Sequence, residues 1–145
     1  MDCNPAKNTV QLEFHIPDFE VAKKYYGALG FDVVWEREPE GLKGYLVMKL
    51  ADNVLCFWNG TPGVYKQGYF KKFSKDSPRG VGVEIVIMVH DIEEYFEKVR
   101  PVANVVESLQ PRPWGSKDFR VIDPFGYYVR FSSRHNVLDP GNAVK

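Results

Sequence analysis

Apolar and polar side chains alternate without a break from residue 10 to residue 16. Val10, Leu12, Phe14 and Ile16 fall on one side, and Gln11, Glu13 and His15 on the other. A two-residue period predicts a strand with one face buried. The period then lengthens. Phe19, Ala22, Tyr26 and Leu29 recur near helical spacing, so a helix is expected there, opened by Asp18 as cap and stopped by Gly30. Strand-like runs follow at residues 31–37, 45–50 and 54–58, and Ala51-Asp52-Asn53 carries turn chemistry.

The same order of patterns returns 73 residues later, measured from Asp18 to Asp91. A strand is expected over residues 81–89, then a helix presenting Ile92, Tyr95, Phe96 and Val99. Asp91 with Glu94 fits an acidic variant of the capping box, and Pro101 ends the helix. Strands are expected at 104–107, 118–122 and 127–131, the last two joined by a turn at Asp123-Pro-Phe-Gly126. Such repetition predicts a duplicated module. The division is a first βαβββ module at residues 1–59, a connection at 60–80, a second module at 81–135 and a polar tail at 136–145. The connection holds several glycines and prolines. Tyr65, Tyr69, Phe70 and Phe73 nevertheless make it too aromatic for a plain linker, and it is expected to pack on the body or on a partner chain.

Composition narrows the function classes. The chain has 145 residues, 44% of them hydrophobic, enough for one compact domain with a core. Lys plus Arg and Asp plus Glu number 19 each, so no global field favours nucleic acid or an anionic membrane. No apolar run approaches the roughly 20 residues that span a bilayer. The first residues, Met1-Asp-Cys-Asn-Pro, lack a basic and then apolar signal region, so a cytoplasmic location is expected. Cys3 and Cys56 do not make a disulfide framework. Aromatics, at 14%, are plentiful enough to line a pocket as well as fill a core.

Aligning the two copies turns the repeat into a functional comparison. At an offset of 73, Gln11 corresponds to Glu84, Glu13 to Val86 and His15 to Met88. At 74, in the last strands, Val47 corresponds to Val121, Cys56 to Arg130 and Phe57 to Phe131. Glu84 stands among apolar residues in Gly80-Val-Gly-Val-Glu-Ile-Val-Ile-Met-Val89, and Arg130 does so in Tyr127-Tyr-Val-Arg-Phe131. A carboxylate in such a setting needs a partner, a shifted protonation or a wet cavity, and the Arg130 guanidinium can meet it bidentately. Such a pair serves either a ligand or architecture alone. Gln11, Glu13 and His15 are either a solvated strand face or one wall of a cavity. Cys56 is expected to be an inert buried thiol rather than a nucleophile. Trp58 and Trp114 supply aromatic surface, the latter from a loop. The chain carries no Ser-His-Asp, Walker or Gly-x-Gly-x-x-Gly signature.

Three stretches carry a resemblance: Ile16-Pro-Asp-Phe-Glu-Val-Ala-Lys-Lys-Tyr-Tyr-Gly-Ala-Leu-Gly-Phe31, Gly82-Val-Glu-Ile-Val-Ile-Met-Val-His-Asp-Ile-Glu-Glu-Tyr95 and Pro113-Trp-Gly-Ser-Lys-Asp-Phe-Arg-Val-Ile-Asp-Pro-Phe-Gly-Tyr127. Together they resemble the vicinal oxygen chelate superfamily, which includes glyoxalase I, extradiol dioxygenases and bleomycin-resistance proteins. The resemblance covers nearly all of residues 9–133. It implies an α+β fold of two βαβββ modules whose mixed sheets curl around a cavity, often within a dimer. Metal-dependent members place one ligand on the first and one on the last strand of each module. Those positions here are Gln11, Cys56, Glu84 and Arg130. Cys56 and Arg130 stand where carboxylates are usual, and a guanidinium cannot ligate a metal. The chain is therefore most similar to the metal-free, bleomycin-resistance-like branch. That implies a small-molecule-binding protein with no metal or other cofactor, suited to sequestering an antibiotic or toxin, and a homodimer as its assembly. The ligand-binding residues implied are Gln11, Glu13, His15, Cys56, Trp58, Glu84, Trp114 and Arg130. The alternative is a lyase or isomerase of the same superfamily, with or without a divalent metal. In it Glu84 or His15 would move a proton and Arg130 would stabilise an oxyanion.

Overall fold

Asp18 opens the first helix as the pattern predicts. Its carboxylate accepts from the backbone N–H groups of Glu20 and Val21 at 2.8 and 3.4 Å, satisfying two donors that lack helical partners. The structure is a computed structural model that describes residues 10–68, 70–72, 74, 76, 77, 79, 80 and 82–144. Helix α1 (Phe19–Ala28) buries Phe19, Ala22 and Tyr26, and Gly30, at φ 96°, makes the left-handed turn that ends it. Asp91 repeats the device. It accepts from the Glu94 N–H at 3.1 Å at the start of α2 (Ile92–Val99), which buries Ile92 and Val99.

Each helix lies between the first strand of its module and three more. Strand β1 (Glu13–Ile16) runs parallel to β4 (Asn53–Asn59), and β3 (Tyr45–Leu50) and β2 (Asp32–Arg37) continue the sheet antiparallel. In the second module β5 (Ile85–Val89) runs parallel to β8 (Tyr128–Ser133), followed by β7 (Lys117–Ile122) and β6 (Val105–Pro111). The described strands thus form two four-stranded mixed sheets, in the orders β1-β4-β3-β2 and β5-β8-β7-β6. This is the expected α+β architecture of two βαβββ units, built from open sheets rather than a closed barrel.

Both modules feed one core. Phe14, Ile16, Leu46, Leu55 and Phe57 of the first join Ile87, Val89, Phe119, Val129 and Phe131 of the second. Each such side chain contributes about 1.5–3 kcal/mol when withdrawn from water. Polar ties cross the junction as well. The Tyr26 hydroxyl donates to Asp123 Oδ2 at 2.6 Å, the Tyr95 hydroxyl to the Leu29 carbonyl at 2.7 Å, and the Asn53 amide to the Met88 carbonyl at 3.1 Å. The Phe14 ring stacks on Tyr127 at 4.7 Å.

Several boundaries differ from expectation. The first strand begins at Glu13 rather than Val10, which is 80% exposed. Continuing the parallel register places Val10 beside Asn53, at the hairpin where β4 starts, so the alternation outruns its partner. The second module's first strand begins at Ile85, because Gly80 and Gly82 take φ of 78° and 82° and turn the chain. Glu84 accordingly sits just before β5, not inside it. Strand β6 runs on to Pro111, past the expected end at Glu107, with register irregularities. Within the connection, Val64 is buried and the Arg79 guanidinium lies 5.5 Å from the Tyr65 ring centre. Cys3, Tyr69, Phe73 and Val81 lie outside the described residues. In the tail, Pro140–Val144 winds a short 3-10 turn.

Candidate functional site

The face of each sheet opposite the helices holds the chemistry, and strand register decides what meets there. In the first sheet Glu13 lies beside Cys56, Cys56 beside Val47, and Val47 beside Trp35. In the second, Val86 lies beside Arg130, Arg130 beside Arg120, and Arg120 beside Glu107. The pairings of Glu13 with Val86 and Cys56 with Arg130 follow the sequence offsets. Val47 does not: its counterpart is Arg120, and Val121 corresponds to Met48, which pairs with Leu55 as Val121 pairs with Val129.

On the first face the Tyr45 hydroxyl donates to Glu13 Oε2 at 2.8 Å and receives the Gln11 amide. His15 Nε2 lies 3.4 Å from Glu13 Oε1. Burial lowers the pKa of His15; Glu13 opposes this and the Arg79 charge adds to it. The ring stays neutral near pH 7 as a result. Trp58 packs 5.0 Å from His15 and donates its indole N–H to the Leu42 carbonyl at 3.1 Å. Trp35 stacks on Tyr45 at 5.4 Å. Burial pushes the Cys56 thiol up, which suppresses the thiolate and with it nucleophilic chemistry. Gln11, Glu13, His15, Cys56 and Trp58 are thus gathered on one wall, together with Tyr45 and Trp35.

The second face is an ion-pair network. Arg120 Nε donates to Glu84 Oε1 at 2.7 Å, and its Nη1 donates to Glu107 Oε2. Arg112 donates from Nε to Asp118 Oδ1 at 2.7 Å and from Nη2 to Glu107 Oε1 at 2.8 Å. The Asp118 side chain is 1% exposed. Hydrogen bonds from Arg112 and then Arg120 lower the Glu107 pKa, so every carboxylate here has a cation within reach. Arg130 stands apart. Its Nη1 is 3.6 Å from Glu84 Oε2 and 3.7 Å from Asp118 Oδ2. Glu84 and Arg130 do lie at ion-pair distance, but without the bidentate hydrogen bonds a guanidinium can make; the guanidinium hydrogen bond to Glu84 comes from Arg120, on the other carboxylate oxygen.

Glu84 and Arg120, with Arg79, Val83, Ile122 and Tyr128, also line a cleft of about 530 Å³. The first-face residues are not among its walls. Trp114, 48% exposed, lines a different groove of about 460 Å³ with Ser116, Arg134 and His135. The eight residues singled out in the sequence therefore divide among the first wall, the ionic face and this distal groove. Sequence reasoning missed Arg120, Asp118, Glu107 and Arg112. The alternation Asp118, Arg120 against Phe119, Val121 was the available signal for the first two.

The family model for the glyoxalase/bleomycin resistance protein/dioxygenase superfamily matches residues 10–131. The chain belongs to that superfamily. No curated protein matches it by sequence. Among solved structures, the bleomycin resistance determinant encoded on transposon Tn5 is 15% identical, covering 90% of this chain and 100% of that one, with a TM-score of 0.65. A bleomycin-binding protein complexed with bleomycin is also 15% identical, covering 89% of this chain and 100% of that one, at 0.64. TioX from Micromonospora sp. ML1 is 17% identical, covering 91% and 100%, at 0.63. At such identities these likenesses show the fold alone.

The metal carried by metal-dependent members of the superfamily does not fit the residues at the corresponding positions here. Arg130 has no lone pair to donate, Glu84 is engaged by Arg120, and Cys56 is buried as a thiol. Among the described residues, no group of three or more His, Cys, Asp or Glu side chains is placed to hold a metal ion.

Proposed function

We propose that this superfamily member binds a small molecule without a metal ion, in the manner suited to sequestering an antibiotic or toxin. One observation carries the reading: Gln11, Cys56, Glu84 and Arg130 occupy the four positions implied for a metal, yet the second-module pair is drawn into an arginine–carboxylate network. Beside that network lies a cleft of a size that suits a small ligand. The ligand-contacting residues in this reading are Glu84, which lines that cleft, and Arg130 on the ionic face beside it, with Gln11, Glu13, His15, Cys56 and Trp58 on the separate first face. Trp114 belongs to the separate groove and would contact a ligand only there. Support from the relatives is indirect: one is a resistance determinant and one was solved with bleomycin bound. A homodimer is part of the proposal, since β2 is an edge strand whose Val33, Val34 and Trp35 are about half exposed, apolar surface on both sides of that edge that a second copy can cover. The proposed location is the cytoplasm. Among the described residues no helix is long and apolar enough to cross a membrane.

A second reading, a lyase or isomerase, is favoured by one observation. His15 is shielded, held neutral and within 3.4 Å of Glu13, a pairing suited to accepting a proton.

Metal analysis of the purified protein combined with a thermal-shift screen of small molecules tests the proposal. Stabilisation of metal-free protein by a ligand, lost in Glu84→Ala, is the expected result. Stoichiometric metal overturns it. Turnover abolished by His15→Gln would favour the second reading.

A further inference from the structure

We propose that the ionic face of the second module binds an organic anion, an apolar body bearing a carboxylate or phosphate, and that Arg130 takes the anionic group. This deepens the small-molecule reading and rests on it. The network contains three arginines, but they are not equivalent. Arg112 and Arg120 make all the guanidinium hydrogen bonds that Glu84, Glu107 and Asp118 receive. Among the described residues Arg130 makes none. Its two carboxylate neighbours lie at 3.6 and 3.7 Å, beyond hydrogen-bond range, and its buried Nε has no acceptor. A guanidinium on a side chain only 19% exposed, with its Nε buried without an acceptor and only long ion pairs at Nη1, is an expensive arrangement for architecture alone.

That arrangement has a use if the fifth of the side chain open to solvent meets an oxyanion. Reorienting Arg130 breaks no hydrogen bond, and a carboxylate or phosphate would supply the charge-assisted bonds it lacks. Arg112 and Arg120 would keep Glu107 and one oxygen each of Glu84 and Asp118 occupied meanwhile. Arg130 Nη1 remains the near cation of Glu84 Oε2 and Asp118 Oδ2, so the anion is to be met by the remaining guanidinium donors. Arg130 is not itself a wall of the cleft, but its strand partner Arg120 and its β8 neighbour Tyr128 are, and the cleft offers room for the body. Its charged lining is Arg79 and Arg120 against Glu84, two guanidinium groups to one carboxylate, and Val83, Ile122 and Tyr128 supply apolar surface.

The test titrates benzoate, phenyl phosphate and benzylamine, three probes of similar body and different charge, into the full chain by calorimetry and thermal shift. Benzoate or phenyl phosphate should bind and stabilise while benzylamine does not, and the stronger of the two names the anionic group. Arg130→Gln should weaken that binding about tenfold or more, the worth of one charge-assisted hydrogen bond, while the melting temperature of the unliganded protein changes little. If Arg130→Gln fails to fold, Arg130→Lys carries the test, because it keeps the charge and loses the planar fork; weakened anion binding is again expected. Binding of benzylamine alone overturns the inference and leaves the small-molecule reading standing. Undiminished anion binding in both variants also overturns it, as does failure of both anions to bind. Stoichiometric metal would bring down the underlying reading instead.

Discussion

The two modules share their buried side and almost nothing on the opposite one. Matching the two sheets by register makes Phe14 equivalent to Ile87, Leu46 to Phe119, Met48 to Val121, Leu55 to Val129 and Phe57 to Phe131, and every one of these is buried. On the other face the same matching makes Trp35 equivalent to Glu107, Tyr45 to Asp118, Val47 to Arg120 and Cys56 to Arg130. At these positions one copy presents aromatic and neutral groups, with Glu13 beside them as the charge of that face, and the other presents a set of charges. A core accepts any apolar side chain of roughly the right volume, so duplication can leave it alone. The open face does not hold the fold together by packing, so its chemistry is free to differ. The lesson is that function in this chain is to be sought in what the copies do not share.

The shared side gives the largest expected effect. Phe57→Ala and Phe131→Ala each remove a fully buried ring, and each should cost about 3–5 kcal/mol. Chemical denaturation of the two variants should give similar losses. A large loss from one and a negligible loss from the other would mean that the modules do not contribute equally to the common core.

The open faces should separate more subtly. Arg120→Gln strips Glu84 and Glu107 of a short partner on the second face. Both carboxylates keep about a third of their side-chain exposure, so water offsets part of the loss and a cost of about 2 kcal/mol is expected. Arg130→Gln, one strand away, should cost under about 1 kcal/mol, because it removes only long contacts. Urea unfolding of the pair reads the difference. Equal losses would make Arg130 as structural as Arg120 and remove the distinction between them.

That distinction was only partly legible in the sequence. The repeat, both caps, the helix spans and four of the eight strands (β2, β3, β4 and β7) could be read from periodicity and turn chemistry to within a residue. Glu84 and Arg130 stood out as charges among apolar residues. Arg120 did not, because the offset between copies is not constant. Leu50 pairs with Asn53 across a tight turn, whereas the Asp123 N–H donates to the Tyr127 carbonyl, so the second hairpin holds one residue more. Carrying the offset of 74 backwards through that turn set Val47 against Val121 and hid Arg120. Asp118 escaped for another reason. Its burial depends on Arg112, which arrives from an extension of β6 that the pattern ends at Glu107.

The smallest effect tests the first face. Folding lowers the His15 pKa, chiefly by burying the ring. The neutral imidazole is therefore the form the native state prefers. The linked stability is fully present above the usual value of 6.5 and is lost as pH falls through it towards the lower native value. Glu13 works against the shift, since its carboxylate favours the charged ring. Glu13→Gln should accordingly drive the His15 pKa lower still, not higher. NMR titration of the His15 imidazole resonances reads this directly. A His15 that titrates at or above 6.5, or one that rises when Glu13 is neutralised, would show a solvated ring. The first face would then be an ordinary wet strand surface rather than a shielded wall set opposite in character to the ionic one.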